Sequence, residues 1–161
     1  MIKVLLLDVD GVLTDGSIIY SNSGQEFKVF NIKDGFGIRL AQKCGVEVII
    51  ISGRRSIITE IRAHELGIEK IYQAVENKEI LYENLKLTNG WIDEEVAFIG
   101  DDINDVELMK KVGLSATVMD AFDYVKTQAD IVVPLSGGCG AVRYFIDHIL
   151  KINNQWENII K

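Results

Sequence analysis

Two aspartates one residue apart, Asp8 and Asp10, stand directly behind three leucines in the stretch Leu5-Leu6-Leu7-Asp8-Val9-Asp10-Gly11-Val12-Leu13-Thr14-Asp15-Gly16. A short apolar run closed by glycine reads as a strand buried on both faces. Carboxylates at the end of such a strand are costly to desolvate, and two so close repel, unless a cation or hydrogen-bond donors meet them. The chemistry this implies is joint service to a metal ion and a phosphate at a sheet's rim. Two later apolar runs end in the same way: residues 46–51 on Ser52-Gly53-Arg54-Arg55, and residues 95–99 on Gly100-Asp101-Asp102. Between them Lys78 opens a helical segment. Carboxylates, a hydroxyl and an ammonium form an oxygen-rich set that suits Mg2+, which keeps several waters and bridges to phosphate.

These groups share one rim only if the elements between them alternate. After the first strand, Ile18-Ile19-Tyr20 and Phe27-Lys28-Val29-Phe30 flank Ser21-Asn22-Ser23-Gly24, which marks a β-hairpin insert over about residues 16–32. A lone ribbon is marginal in water, and this one is too apolar for a solvated flap. It is expected to pack against another subunit rather than fold back on its own chain. Helices are expected over residues 37–44, from Ile57 to a stop at Gly67, and over 78–87, 104–112, 122–127 and 141–152. Strands are expected over residues 46–51, 70–72, 95–99, 114–118 and 131–133, and a polar tail over about 153–161. This alternation predicts an α/β fold: a Rossmann-like doubly wound parallel sheet with right-handed crossovers, as one domain over residues 1–161. Ligands of such sheets bind outside the carboxyl ends of the strands.

Composition narrows the functional classes. The 161 residues are 48% hydrophobic and 25% charged, an ordinary globular balance. No apolar run approaches the roughly 20 residues of a membrane span. The net charge of −7, with no basic face, excludes bulk nucleic-acid binding and requires local cations for any anionic substrate. Cys44 and Cys139 form no Cys-x-x-Cys pattern and read as free thiols of a reducing cytoplasm. An opening strand without a basic lead or cleavage site agrees with a cytoplasmic protein that has no signal peptide.

Asp-Val-Asp-Gly-Val-Leu-Thr, Ser-Gly-Arg, a Lys opening a later helix and Gly-Asp-Asp-x-Asn-Asp resemble, in order, the four motifs of haloacid dehalogenase superfamily phosphatases. The likeness extends to Phe30-Asn31-Ile32-Lys33-Asp34-Gly35-Phe36-Gly37, Leu66-Gly67-Ile68, Val112-Gly113-Leu114-Ser115 and Gly137-Gly138-Cys139-Gly140-Ala141. Over nearly its whole length the chain resembles the capless 3-deoxy-D-manno-octulosonate 8-phosphate phosphatase family. The resemblance implies a Mg2+-dependent phosphomonoesterase of lipopolysaccharide precursor biosynthesis.

In that reading Asp8 is the nucleophile, splitting one difficult displacement into two through an acyl phosphate. Asp10 protonates the departing sugar oxygen and later takes a proton from water. Mg2+ is held by Asp8, the backbone carbonyl of Asp10 and Asp101, with Asp102 and Asp105 behind them. Ser52 and Lys78 hold the remaining phosphoryl oxygens, where transition-state charge is spread. Ser52 alone could instead cap the helix that follows, and Asp105 could cap its own. His64 and His148 have no partners in a recognisable pattern and read as structural.

Recognition of a sugar acid needs cations beyond Lys78, and the resemblance implies that Asn31, Ile32, Lys33, Asp34, Gly35, Arg39, Gly53, Arg54 and Arg62 line the substrate site. By themselves Arg39 and Arg62 read as solvated helix faces and Asp34 as a turn residue. Lys33 stands where the family often has Arg, and Cys139 replaces an Arg in a Gly-Gly-Arg-Gly-Ala run. A point charge in place of a fork leaves open a nine-carbon, sialic-type sugar-acid 9-phosphate. No segment large enough for a cap domain separates the motifs, so a neighbouring subunit is expected to cover the rim. The resemblance implies a homotetramer built on the hairpins, with Trp156 and Ile159 of the tail docking at a neighbour's site. A receiver-like signalling module would need an acceptor Asp where this chain has Ser52, and a non-catalytic sugar-phosphate scaffold has no use for the Asp8–Asp10 pair.

Overall fold

The computed structural model describes residues 1–159. Six parallel strands form the main sheet: β1 (Val4–Leu7), β4 (Glu47–Ile51), β5 (Lys70–Tyr72), β6 (Val96–Gly100), β7 (Leu114–Thr117) and β8 (Ile131–Val132). Their spatial order is β5-β4-β1-β6-β7-β8. The chain winds outward from β1 to β5, returns to the far side of β1 and winds outward again. The crevice at that reversal, outside the ends of β4, β1 and β6, is where such sheets hold ligands.

The register explains why three separate motifs meet. Leu7 pairs with Ile50 on one side and Ile99 on the other, so Asp8, Ser52 and Asp101 emerge within two residues of one level. Leu5, Leu6 and Leu7 are fully buried, as a strand covered on both faces requires. One covering layer contains α1 (Ile32–Lys43) and α6 (Ala141–Ile152), which pack on each other. On α6, Val142, Phe145, Ile146, Ile149 and Leu150 are buried at helical spacing. The other helices are α2 (Ile57–Glu65), α3 (Lys78–Asn89), α4 (Val106–Met109) and α5 (Asp123–Lys126). Among the described residues no helix is long and apolar enough to cross a membrane.

Three expectations need correction. Helix α1 starts at Ile32, five residues before the expected residue 37, because the Asn31 side chain caps it by accepting from Lys33 N–H at 2.8 Å. Gly35 and Gly37 are packing devices: a Cβ at Gly37 would lie 3.3 Å from Arg143 Cα on α6. The hairpin pairs only two residues per strand, β2 (Ile19–Tyr20) with β3 (Glu26–Phe27). Its polar edge folds onto its own chain through Glu26 and Lys28, while Ile18, Ile19, Tyr20, Phe27 and Val29 are exposed. The tail also packs on its own chain: Gln155 Nε2 donates to Cys44 O at 2.8 Å, and Trp156 lies under the Lys151 ammonium. Ile159 joins the same apolar cluster, and the last two residues of the expected tail lie outside those described.

Candidate active site

Asp8 leaves β1 with its side chain almost wholly buried, its Oδ1 2.9 Å from Lys78 Nζ. Lys78 is the first residue of α3, aimed inward because Asn77 caps that helix by accepting from Ile80 N–H. The same ammonium donates to Asp105 Oδ1 at 2.5 Å. Asp105 Oδ2 accepts from the backbone N–H groups of Asp101 at 2.9 Å and Asp102 at 3.2 Å. Fully buried, Asp105 therefore shapes the loop that presents Asp101 and fixes Lys78 as well. Of the two readings open for it in the sequence, the structure bears out support: its side chain does not cap α4, which follows it, and instead completes a capping box led by Asp102.

Asp8, Asp101 and Asp105 each bring an oxygen within 4.8 Å of the others. Burial pushes the Asp101 carboxyl up to about 8, and the charges of Asp8 and Asp105 add to that push. Burial also lifts Asp8 to about 6, against the pull of Lys78. Even with Asp101 holding its proton, Asp8 and Asp105 face one ammonium, so the cluster is short of positive charge. Its donors are all hard oxygens, which fit Mg2+. Asp8 and Asp101 would hold the ion, because both oxygens of Asp105 are already engaged. Gly11 makes room for Asp101: its φ is +89°, and a Cβ there would overlap the Asp101 carboxylate.

Ser52 is buried at the end of β4, and its Oγ accepts from Arg54 N–H at 3.3 Å. It does not cap α2, whose N-cap is Ser56. Gly53 has ordinary room, with the nearest atoms to a Cβ 3.8 Å away. Arg54 donates to Glu26 Oε1 at 2.9 Å, and its Nη1 is buried without a hydrogen-bond partner, 3.8 Å from Asp10 Oδ1. Asp10 turns its carboxyl to that guanidinium and to the Lys28 ammonium.

Of the other expected substrate residues, Asn31, Asp34, Gly35 and Arg62 line one small cavity with Leu13 and Phe30, and Ile32, Gly35, Arg39 and Arg62 line a groove between α1 and α2. Asn31 Nδ2 donates to Gly138 O at 3.2 Å, which ties α1 to the glycine run packed on the Gly11–Thr14 loop. Ile32 and Lys33 are exposed in the first turn of α1. Asp34 is buried: its Oδ1 accepts from Arg143 N–H at 2.8 Å at the start of α6, and its Oδ2 has no partner. It braces two helices instead of presenting a carboxylate to a ligand. Gly35 lies against the Arg62 guanidinium. Arg39 donates to Glu65 O at 2.5 Å and Arg62 to the Glu65 carboxylate at 3.2 Å, and the Arg62 guanidinium also lies over the Phe30 ring. Sequence reasoning missed Lys28 and Glu26, although Lys28 is the lone charge in the run Phe27-Lys28-Val29-Phe30.

A family model described as haloacid dehalogenase-like hydrolase matches residues 65–146. The 3-deoxy-D-manno-octulosonate 8-phosphate phosphatase of Escherichia coli K12 is 46% identical over 149 residues, covering 92% of this chain and 79% of that protein. The crystal structure of the Yersinia pestis phosphatase of the same name superposes with a TM-score of 0.94 at 43% identity, over 97% of this chain and 84% of that one. The Moraxella catarrhalis phosphatase, crystallised with a magnesium ion, a phosphate ion and a KDO molecule, gives a TM-score of 0.96 at 35% identity, over 99% and 91% of the two chains. With this identity over nearly its full length, and with the four motifs gathered at one rim, the chain belongs to the 3-deoxy-D-manno-octulosonate 8-phosphate phosphatase family of haloacid dehalogenase-like hydrolases.

Proposed function

We propose that this protein is a Mg2+-dependent phosphomonoesterase that hydrolyses 3-deoxy-D-manno-octulosonate 8-phosphate to the free sugar acid and phosphate. The observation that carries the reaction is the buried Asp8–Lys78–Asp105 chain beside Asp101. An Asp8 oxygen attacks phosphorus as the bond to the sugar oxygen breaks, and Asp10 gives that oxygen a proton. Water then attacks the aspartyl phosphate, Asp10 takes its proton, and phosphate leaves with Asp8 restored. Lys78 and the Ser52 hydroxyl meet the charge on the phosphoryl oxygens. Mg2+, when bound, supplies the positive charge that lets a dianion approach these carboxylates.

The substrate class is supported by the family and by the KDO molecule in the Moraxella structure. Lys33 and Cys139 favour one second reading, a nine-carbon sugar-acid 9-phosphate. A panel of phosphorylated sugar acids and neutral hexose phosphates, assayed with Mg2+, decides between them. Preference for a neutral hexose would refute both. Asp8→Asn should lower kcat at least about a thousandfold, and undiminished turnover would overturn the mechanism.

The whole chain acts as a single catalytic domain, working in the cytoplasm as a homotetramer. The exposed apolar face of the hairpin supports the assembly, and two free thiols support the compartment. A monomeric mass in solution at micromolar concentration would refute the tetramer.

A further inference from the structure

Lys28 belongs to none of the four motifs, yet it is the side chain most closely joined to Asp10. It lies just past β3 on the hairpin, its side chain is 1% exposed, and its ammonium donates to Asp10 Oδ1. Glu26 secures the strand that delivers it, accepting from Ser56 Oγ at 2.6 Å and Arg54 Nη2 at 2.9 Å. The Glu26 carboxylate is also 3.8 Å from the Lys28 ammonium. Arg54 Nη1 stands 3.8 Å from the same Asp10 oxygen, too far for a hydrogen bond. Among the described residues, Lys28 therefore makes the only side-chain hydrogen bond to Asp10. Burying an ammonium is costly, and a buried pair commonly returns fixed geometry rather than stability. A carboxyl that must meet one oxygen of a substrate is where fixed geometry matters.

We propose that Lys28 is a positioning residue for Asp10. Its ammonium holds the carboxyl in the orientation from which it serves the departing sugar oxygen, and the hairpin is the arm that carries it there. The inference rests on Asp10 as the acid of the reaction proposed above. It makes the hairpin, on its polar edge, part of its own chain's active site.

The test uses leaving groups that differ in their need for a proton. A sugar alkoxide leaves poorly unless protonated, whereas p-nitrophenolate leaves without help. Lys28→Met, Lys28→Arg and Asp10→Asn are assayed with Mg2+ on octulosonate 8-phosphate and on p-nitrophenyl phosphate. Lys28→Met should lose about tenfold to a hundredfold more kcat/KM on the sugar than on the aryl ester, with KM on the sugar little changed and partial recovery in Lys28→Arg. That ratio ends at departure of the leaving group and omits the aspartyl-phosphate hydrolysis common to both esters. Equal losses on both esters would overturn the positioning role. A raised KM on the sugar with kcat held would overturn it in favour of a substrate ligand. A leaving-group bias in Asp10→Asn but not in Lys28→Met refutes the Lys28 role alone, while no bias in Asp10→Asn refutes Asp10 as the acid. Should Lys28→Met fail to fold, Glu26→Gln loosens the arm and keeps Lys28. It should show the same bias at smaller size, and its absence there would refute the proposal.

Discussion

Replacing Asp34 by Asn should make the protein more stable at pH 8 and leave it unchanged near pH 4. Burial lifts the Asp34 carboxyl from 3.8 to about 6, despite the hydrogen bond from Arg143 N–H in the first turn of α6 that favours its charge. The folded state therefore holds this proton more tightly than the unfolded chain. Below 3.8 both states are protonated and nothing is lost. As pH rises from 3.8 to about 6 the folded state is penalised progressively, and above that the full cost persists. At about 1.4 kcal/mol per pH unit, the cost of the buried charge is about 3 kcal/mol. Asn keeps an acceptor for the Arg143 N–H and stays neutral at every pH, so it matches the protonated Asp34 near pH 4 and avoids that cost at pH 8. The gain at pH 8 is therefore about 3 kcal/mol, or about 6–12 °C in Tm for a chain of this size. Thermal melts of the two proteins across pH 4–8 read it directly, because the other titrating groups cancel in the difference. A variant less stable than the parent at pH 8, or a difference that does not change with pH, would refute the assignment of Asp34 as a strained buried brace.

Lys78→Met removes the one ammonium shared by Asp8 and Asp105 and should cost about 3–5 kcal/mol in urea denaturation; a loss under about 1 kcal/mol would mean that the carboxylates find other partners. Because Asp101 is pushed up to about 8, Mg2+ binding at pH 7 should release close to one proton. Calorimetry in buffers of different ionisation enthalpy measures it, and a buffer-independent heat would place the ion away from Asp101.

The rim residues were legible because each follows a strand whose register is dictated by its own apolar pattern. Once β1 pairs with β4 and β6, Asp8, Ser52 and Asp101 can emerge only at one rim. Lys78 was legible for a related reason, since the first residue of a helix after a crossover returns to the same rim. Asp34 was not, because two glycines hid the first turn of α1 and made a buried brace look like a turn. Arg39 and Arg62 carried the right charge for a sugar acid, yet helix periodicity cannot say that Glu65 will take them.

By itself, then, the sequence determined the α/β alternation and the rim at which Asp8, Ser52, Lys78 and Asp101 gather, since these follow from short-range pattern and parallel pairing. Only the tertiary structure decided which charges face one another. Asp105 meets Lys78 across 27 positions, Lys28 reaches Asp10 across 18, and Asp34 reaches α6 across 109. Contacts over such separations depend on how helices and the hairpin pack, and the residues at either end have no local signal of their partner.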